Sequence, residues 1–431
     1  MKILSPKKYL ILLSCVVQLG ATEMYTIDEL ILESIKNSPD LQISKLQYEA
    51  SKSRYDAAFS NYLPKLDALA SAGKIHQDKT NNSPVVDDTL LLGKLTLKQI
   101  IYDFGKTGGS TDTQKFNSQA YKMENMQKTS DKKRDVKQAY YTVLKANALI
   151  DVQKENVKLN KAQLYRSKKY FEAGIRTKID VSDAEVQVIK AKLELKKAEY
   201  NLKLAYTELD RVVGFETLEQ EYDVYTQELD LSNLYDSLHD YKLSLTNAIT
   251  YAYEHRFEMK KELANIKAKE SDTRTVNSEY YPSIFLDAAY KYQDANEYNK
   301  YVPQTQWNAG INLSWNLYQG GSTSARKQEK SINASISSAK LHDTKLLIKK
   351  NTTNAYIQLN RSKDTVELDQ SLLKVSNEKF DQASKRYEHG LSDYIELQES
   401  RQGYIDAKAK LVIDYYNYYI AIADLDNAIG E

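Results

Sequence analysis

Apolar and polar positions alternate without a break from Trp307 to Leu317. Trp307, Ala309, Ile311, Leu313, Trp315 and Leu317 fall on one side, and Asn308, Gly310, Asn312, Ser314 and Asn316 on the other. A period of two marks a β-strand with one apolar face and one wet face. At about 3.3 Å per residue the two Trp stand roughly 26 Å apart, close to the height of a membrane β-barrel's apolar band between its aromatic girdles. A soluble sandwich strand alternates in the same way, so this segment alone leaves both readings open. Three other segments alternate too. Leu66, Ala68, Ala70 and Ala72 share a face within 63–77. Leu91, Leu95 and Leu97 oppose Lys94, Thr96 and Lys98 within 90–103. Ile284, Leu286, Ala288, Tyr290 and Tyr292 share a face within 282–293, and the Trp307 segment gives a fourth strand over about 307–320. Turn-rich polar loops at 78–88 and 294–306 join the strands in pairs.

The rest of the chain reads as helix. Residues 27–62 are helical with a break at Ser38-Pro39, because Pro cannot sit in a helix interior. Between about 106 and 171 there is no Pro, and the only Gly lie in the first turn. A continuous helix there would be about 100 Å long, and Gly174 supplies its stop. From Thr177 onward Val181, Ala184, Val188, Ala191, Leu195, Ala198, Leu202, Ala205, Leu209 and Val212 keep a 3-4-3-4 spacing, the seam of a coiled coil. Residues 245–279, 322–388 and 393–429 repeat the plan, the last with Leu397, Tyr404, Ala407, Leu411, Tyr418, Ala421, Leu425 and Ala428 in the heptad positions. The seams are expected to be exposed and to seek partners.

The chain is a duplication. Leu63-Pro64 is echoed by Tyr281-Pro282 at an offset of 218. Ile101 to Gly105 is echoed by Leu317 to Gly321, Tyr170 to Gly174 by Arg386 to Gly390, and Val213-Gly214 by Ile429-Gly430, each at 216. The division that follows is a leader at 1–21, a first repeat at 22–214, an irregular acidic connector at 215–244 and a second repeat at 245–431.

Composition narrows the class. Only 14 Gly and 6 Pro in 431 residues favour long helices. Lys2, Lys7 and Lys8, then an apolar run and small residues, form a secretory signal peptide with cleavage expected after Ala21. Leu12-Leu13-Ser14-Cys15 is a loose lipobox, which makes Cys15 a candidate lipidation site as the second choice. Cys15 is the sole cysteine, so there is no disulfide framework. Losing the three leader Lys takes the formal net charge from +1 to −2, a balance that argues against nucleic-acid binding. No later stretch has the roughly 18 uncharged apolar residues of a membrane helix. A membrane-spanning form must therefore be a barrel. Four strands fall short of the usual minimum of about eight, so copies of the chain must complete it, and a cyclic oligomer does so with one symmetry operation.

Nothing points to catalysis. The five His have no metal-ligand spacing and no Cys partners. Gly105-Lys106-Thr107 resembles the end of a phosphate loop, but the first Gly of that pattern falls at Ile100. No cofactor and no metal are expected, and the chain reads as a non-enzyme.

Over about residues 24–430 the ordered set of quoted landmarks resembles the TolC-type outer-membrane efflux proteins of double-membraned bacteria. The resemblance implies a mainly α fold with membrane β. Three chains would give four strands each to a 12-stranded barrel, and antiparallel coiled-coil helices would form a periplasmic tunnel. It implies a passive exit duct in the outer membrane, with its helical part in the periplasm. The duct would couple through a periplasmic adaptor to an inner-membrane transporter, for efflux or type I secretion. The competing reading is a secreted or surface coiled-coil scaffold or adhesin without a pore, against which the two amphipathic hairpins at matching repeat positions argue. Asp180 and Asp183 follow Gly174, and Glu396 and Glu399 follow Gly390 at equivalent sites. The i, i+3 spacing puts each pair on one helix face. The resemblance implies that Glu396 and Glu399 form acidic rings at the tunnel mouth, where rings of carboxylates favour cations. It also implies that Tyr387 and Asp180 belong to the closing network, in which Asp183 and the turns at Gly174 and Gly390 are counted. The family usually places an Arg two residues after the second turn's Gly, where this chain has Ser392. Capping alone is the competing account of Asp180 and Glu396. Trp307 and Trp315 are expected at the membrane interface.

Overall fold

The computed structural model describes residues 23–78, 85–216, 222–226, 229–294 and 304–431. The leader and Cys15 lie outside the described residues, as do most of the two strand-joining loops.

The duplication is carried into the elements with equal lengths. Helices α1 (Ile27–Asn37), α2 (Pro39–Phe59), α3 (Lys106–Glu172) and α4 (Lys178–Val213) have 11, 21, 67 and 36 residues. Helices α5 (Leu245–His255), α6 (Phe257–Asn277), α7 (Ser322–Glu388) and α8 (Tyr394–Ile429) have the same four lengths. Short strands β1 (Glu23–Tyr25) and β4 (Tyr222–Val224) pair in parallel. Strand β4 lies inside the stretch read as an irregular connector; three residues give too short a pattern to register. Tyr25, Phe215 and Tyr222 pack ring to ring and tie the connector back to the start of the chain.

Each long helix runs as one piece beside several shorter ones. Ser51 on α2 donates to Ser118 at 3.1 Å, and Thr113 donates to Asp272 on α6 at 2.8 Å, so α2 and α6 flank the first half of α3. Helix α4 turns back along the second half. Its heptad residues Ala184, Val188, Ala191, Ala198, Ala205, Leu209 and Val212 are buried. The last three pack in one cluster with Val136, Ala139, Tyr140 and Val143 of α3. The expectation that this seam is exposed is therefore corrected: α3 and α4 fold into an antiparallel hairpin that fills it. A different stripe remains open on α4, with Ile179, Val186, Leu193 and Tyr200 exposed at seven-residue spacing.

Both α1–α2 and α5–α6 are broken. Ser38 takes an extended conformation before Pro39, as the sequence indicates. Arg256 is extended at the equivalent place without a proline, and the continuous helix expected over 245–279 is corrected on that point. A distant glycine packs against this break. Gly430 ends α8 at φ 94°, and a Cβ there would come within 3.1 Å of the Arg256 nitrogen. Gly214 ends α4 at φ 87° in the same way against Asn37. Each of these helix ends packs directly against the break of a shorter helix pair.

Strands β2 (Lys65–Gln77), β3 (Val86–Tyr102), β5 (Ser283–Asp294) and β6 (Thr305–Ser314) form one antiparallel sheet in the order β2-β3-β5-β6. Strand β6 is shorter than the sequence alternation suggests. It stops at Ser314, and the Trp315 indole donates to the Tyr280 carbonyl at 3.1 Å beyond the strand. No described helix is long and apolar enough to cross a membrane.

Glycine substitutions separate conformation from contact. Gly174 has φ 71° but open space around it, so Gly174→Ala is expected to cost only the left-handed strain, about 1–2 kcal/mol. Gly214→Ala adds a Cβ 2.9 Å from the Asn37 carbonyl oxygen and is expected to cost clearly more. Thermal unfolding followed by helical circular dichroism ranks the two; equal losses would contradict the packed junction.

Candidate functional site: the sheet face and the helical tips

The four apolar rows converge on one side of the sheet. Across it run Leu66–Leu97–Ala288–Ala309 and Ala68–Leu95–Tyr290–Trp307, each residue directly opposite the next. Directly paired residues point the same way, so a register slip of one would scatter them. Leu286 pairs with Ile311 and Ile284 with Leu313. An irregularity between Ile100 and Tyr102 brings Tyr102 opposite Ile284. Gln99 falls opposite Leu286 within this apolar field. Its amide donates to the Tyr62 and Ile100 carbonyls, both at 2.8 Å, which satisfies it locally. The face is uncovered: Trp307 is 76% and Ile311 71% exposed. Aromatic rings flank it, with Trp307, Tyr290 and Tyr292 near one end and Tyr102, Phe104, Tyr281 and Trp315 near the other. Phe104 stacks on Tyr281 at 5.0 Å.

At the far ends of the long helices the same turn is built twice. Gly174 has φ 71° and Gly390 φ 73°. Ile175 donates to the Tyr170 carbonyl and Leu391 to the Arg386 carbonyl, both at 2.8 Å, the closing bond of a Schellman turn. The acids that follow then diverge. The Asp180 carboxylate accepts from the Thr177 amide and hydroxyl, each at 3.0 Å, and the Thr177 hydroxyl accepts from the Asp180 amide, a reciprocal capping box. In the second copy the cap is Asp393, which accepts from the Glu396 amide at 2.8 Å. The Glu396 side chain is thereby left out of the cap and stands 3.6 Å from Arg386. Asp183 and Glu399 are exposed.

Tyr387 lies beneath this tip, 1% exposed, in a cluster with Ala184, Tyr394 and Leu397. Burial pushes its hydroxyl above the usual tyrosine range, and the Arg176 guanidinium works against that shift. Arg176 stands 4.8 Å over the Tyr387 ring and donates to the Ser392 carbonyl at 3.3 Å. Arg176 and Ser392 are 216 residues apart, so they occupy the same position in the two repeats. The Arg absent from the second turn is present in the first, and it reaches across to the second. Sequence reading missed Arg176, although laying one repeat on the other exposes the exchange. It also missed Arg401, buried nearby, whose guanidinium is shifted down by burial, with Tyr394 opposing the shift. Among the described residues no cluster of three or more His, Cys, Asp or Glu could hold a metal.

The outer membrane efflux protein family model matches residues 30–215 and again 217–431, one match per repeat. The chain belongs to the outer membrane efflux protein family. This efflux protein is 21% identical to the outer membrane protein TolC of Vibrio cholerae, over 93% of this chain and 90% of that protein. Its fold matches crystal structures of CusC at a TM-score of 0.83 with 16% identity, covering 94% of this chain and 92% of that one. It matches the Campylobacter jejuni CmeC outer membrane channel at 0.81 with 16% identity, covering 94% and 85%. It also matches the outer membrane protein VceC of Vibrio cholerae at 0.80 with 14% identity, covering 94% and 96%. As a family member the efflux protein resides in the outer membrane with its helical part in the periplasm, and its family is one of channels.

The divergent caps give a paired expectation. Asp180→Ala removes the carboxylate half of the capping box and an acid in the first turn, while the Thr177 hydroxyl still caps the residue-180 amide, and is expected to cost about 0.3–1 kcal/mol. Glu396→Ala removes only a half-exposed pair with Arg386 and should be near neutral. Thermal melts of the two variants check the order; an equal loss would mean that Glu396 also holds its helix.

Proposed function

We propose that three copies of this efflux protein close a 12-stranded barrel and act as a passive exit duct. The duct would be joined through a periplasmic adaptor to an inner-membrane transporter for efflux or type I secretion. The observation that carries the reading is the sheet itself. Among the described residues its outer strands β2 and β6 each have one side without a partner strand. Exposed edges cannot stand in hydrocarbon, and closure is the known remedy. Strand directions alternate from β2 to β6, so β6 of one copy can pair antiparallel with β2 of the next, and the ring closes with an even strand count. The open stripes of Ile179, Val186, Leu193 and Tyr200 on α4 and of Leu368, Leu372 and Val375 on α7 suit the same three-fold neighbour along the tunnel. Three-fold symmetry would set Glu396 and Glu399 in acidic rings at the tunnel mouth, and Tyr387 with Arg176 would hold the second tip to the first when the mouth is shut. Trp307 and Trp315 would mark the membrane interfaces.

Two measurements test this. Ile311→Arg places a charge on the apolar face and is expected to cost about 2–4 kcal/mol if the site is at the bilayer midplane. The readout is loss of a heat-labile oligomer on SDS gels run with and without boiling; normal assembly would contradict a lipid-facing row. In planar bilayers the purified protein is expected to conduct, and Glu396→Ala with Glu399→Ala to weaken cation preference and divalent-cation block. Unchanged block would leave the two acids without a selective role.

A further inference from the structure

The second face of the sheet carries a charge pattern that the apolar face does not explain. Lys94 of β3 lies directly opposite Lys291 of β5, in a row with Leu69 and Gln306. Four residues along β3, Lys98 lies directly opposite Lys65 of β2. Like charges directly opposed across strands weaken a sheet, so sheet stability gives no account of the Lys94–Lys291 pair, whereas Lys98 also lies directly opposite Asp287 of β5. From one row to the other this face bears these four Lys and two acids, Asp67 and Asp287. Asp287 accepts from the Asn312 amide, and Lys98 stands 4.7 Å from the Phe285 ring centre. Among the described residues Lys94 and Lys291 have no carboxylate partner, and their row contains no acid.

We propose that this face is an anion-attracting belt that favours solutes bearing carboxylate or phosphate groups on their way through the barrel. The inference rests on the closure proposed above, which turns this face toward the interior and repeats each Lys pair three times round it. Lys94 and Lys291 then make a ring of one sign with no acid in it, and the Lys65–Lys98 row lies about 13 Å away along the strand. Rings of basic side chains select anions as rings of acids select cations. The barrel and the tunnel mouth would thus prefer opposite charges. An acidic solute would meet repulsion at the mouth and attraction in the barrel, which draws it outward once it has been delivered.

Citrate, a small trivalent anion, serves as the probe, added to one chamber at a time in planar bilayers holding the full oligomer. Voltage-dependent block is expected from one chamber. Lys94→Gln with Lys291→Gln should weaken it by about tenfold or more, while Lys94→Arg with Lys291→Arg retains it. Glu396→Ala with Glu399→Ala should leave it in place. A heat-labile oligomer on SDS gels shows that each variant has assembled. A conducting channel whose citrate block is absent, or the same in the Gln variant, overturns the belt and leaves the duct standing. A protein that assembles but does not conduct overturns the duct and the belt with it.

Discussion

A backbone amide or carbonyl left unpaired in hydrocarbon costs several kcal/mol, and the rest of this molecule is arranged round that constraint. Four strands have two outer sides, at β2 and β6, and an apolar face as wide as the sheet. Neither is tolerable in isolation. The face suits lipid, and the outer sides call for partner strands. Strand direction, the shared apolar row and the aromatic flanks are all consistent with one solution, in which every copy offers β6 to the next copy's β2.

The helices answer a different constraint, that of reach. A 67-residue helix is about 100 Å long, and a helix of that length needs support along its whole side. Shorter helices supply it, packed end against end. Gly214 and Gly430 allow one helix end to sit against the break in the other pair. The equal lengths in the two repeats keep both hairpin tips level, which lets Arg176 of the first tip reach Tyr387 and Ser392 of the second.

Much of this was legible in the sequence, for identifiable reasons. Period-two rows survive in Leu66–Ala72 and Trp307–Leu313 because each strand has a single apolar face. The duplication is readable because landmark Gly residues must keep their left-handed turns. What was missed is what a linear pattern cannot carry. The break at Arg256 has no proline to mark it and lies against Gly430, 174 positions later. Strand β4 is too short to show a period. The α4 heptad was seen correctly as a seam, but the sequence does not say that its partner is α3. Asp180 and Glu396 are equivalent in sequence and part only through their caps, Thr177 and Asp393.

The pairing of β6 with β2 of a neighbouring copy is the central claim, and disulfide trapping tests it most directly. In a background without Cys15, Ala309→Cys in β6 is combined in turn with Leu66→Cys, Ala68→Cys and Ala70→Cys in β2, and membranes are oxidised. A disulfide needs Cα atoms about 4.4–6.8 Å apart, and β2 and β6 lie at opposite sides of the sheet within one chain. The account predicts that at least one combination gives covalent dimers and trimers, while each single cysteine alone gives no trimer. Chains that stay monomeric in every combination would contradict it.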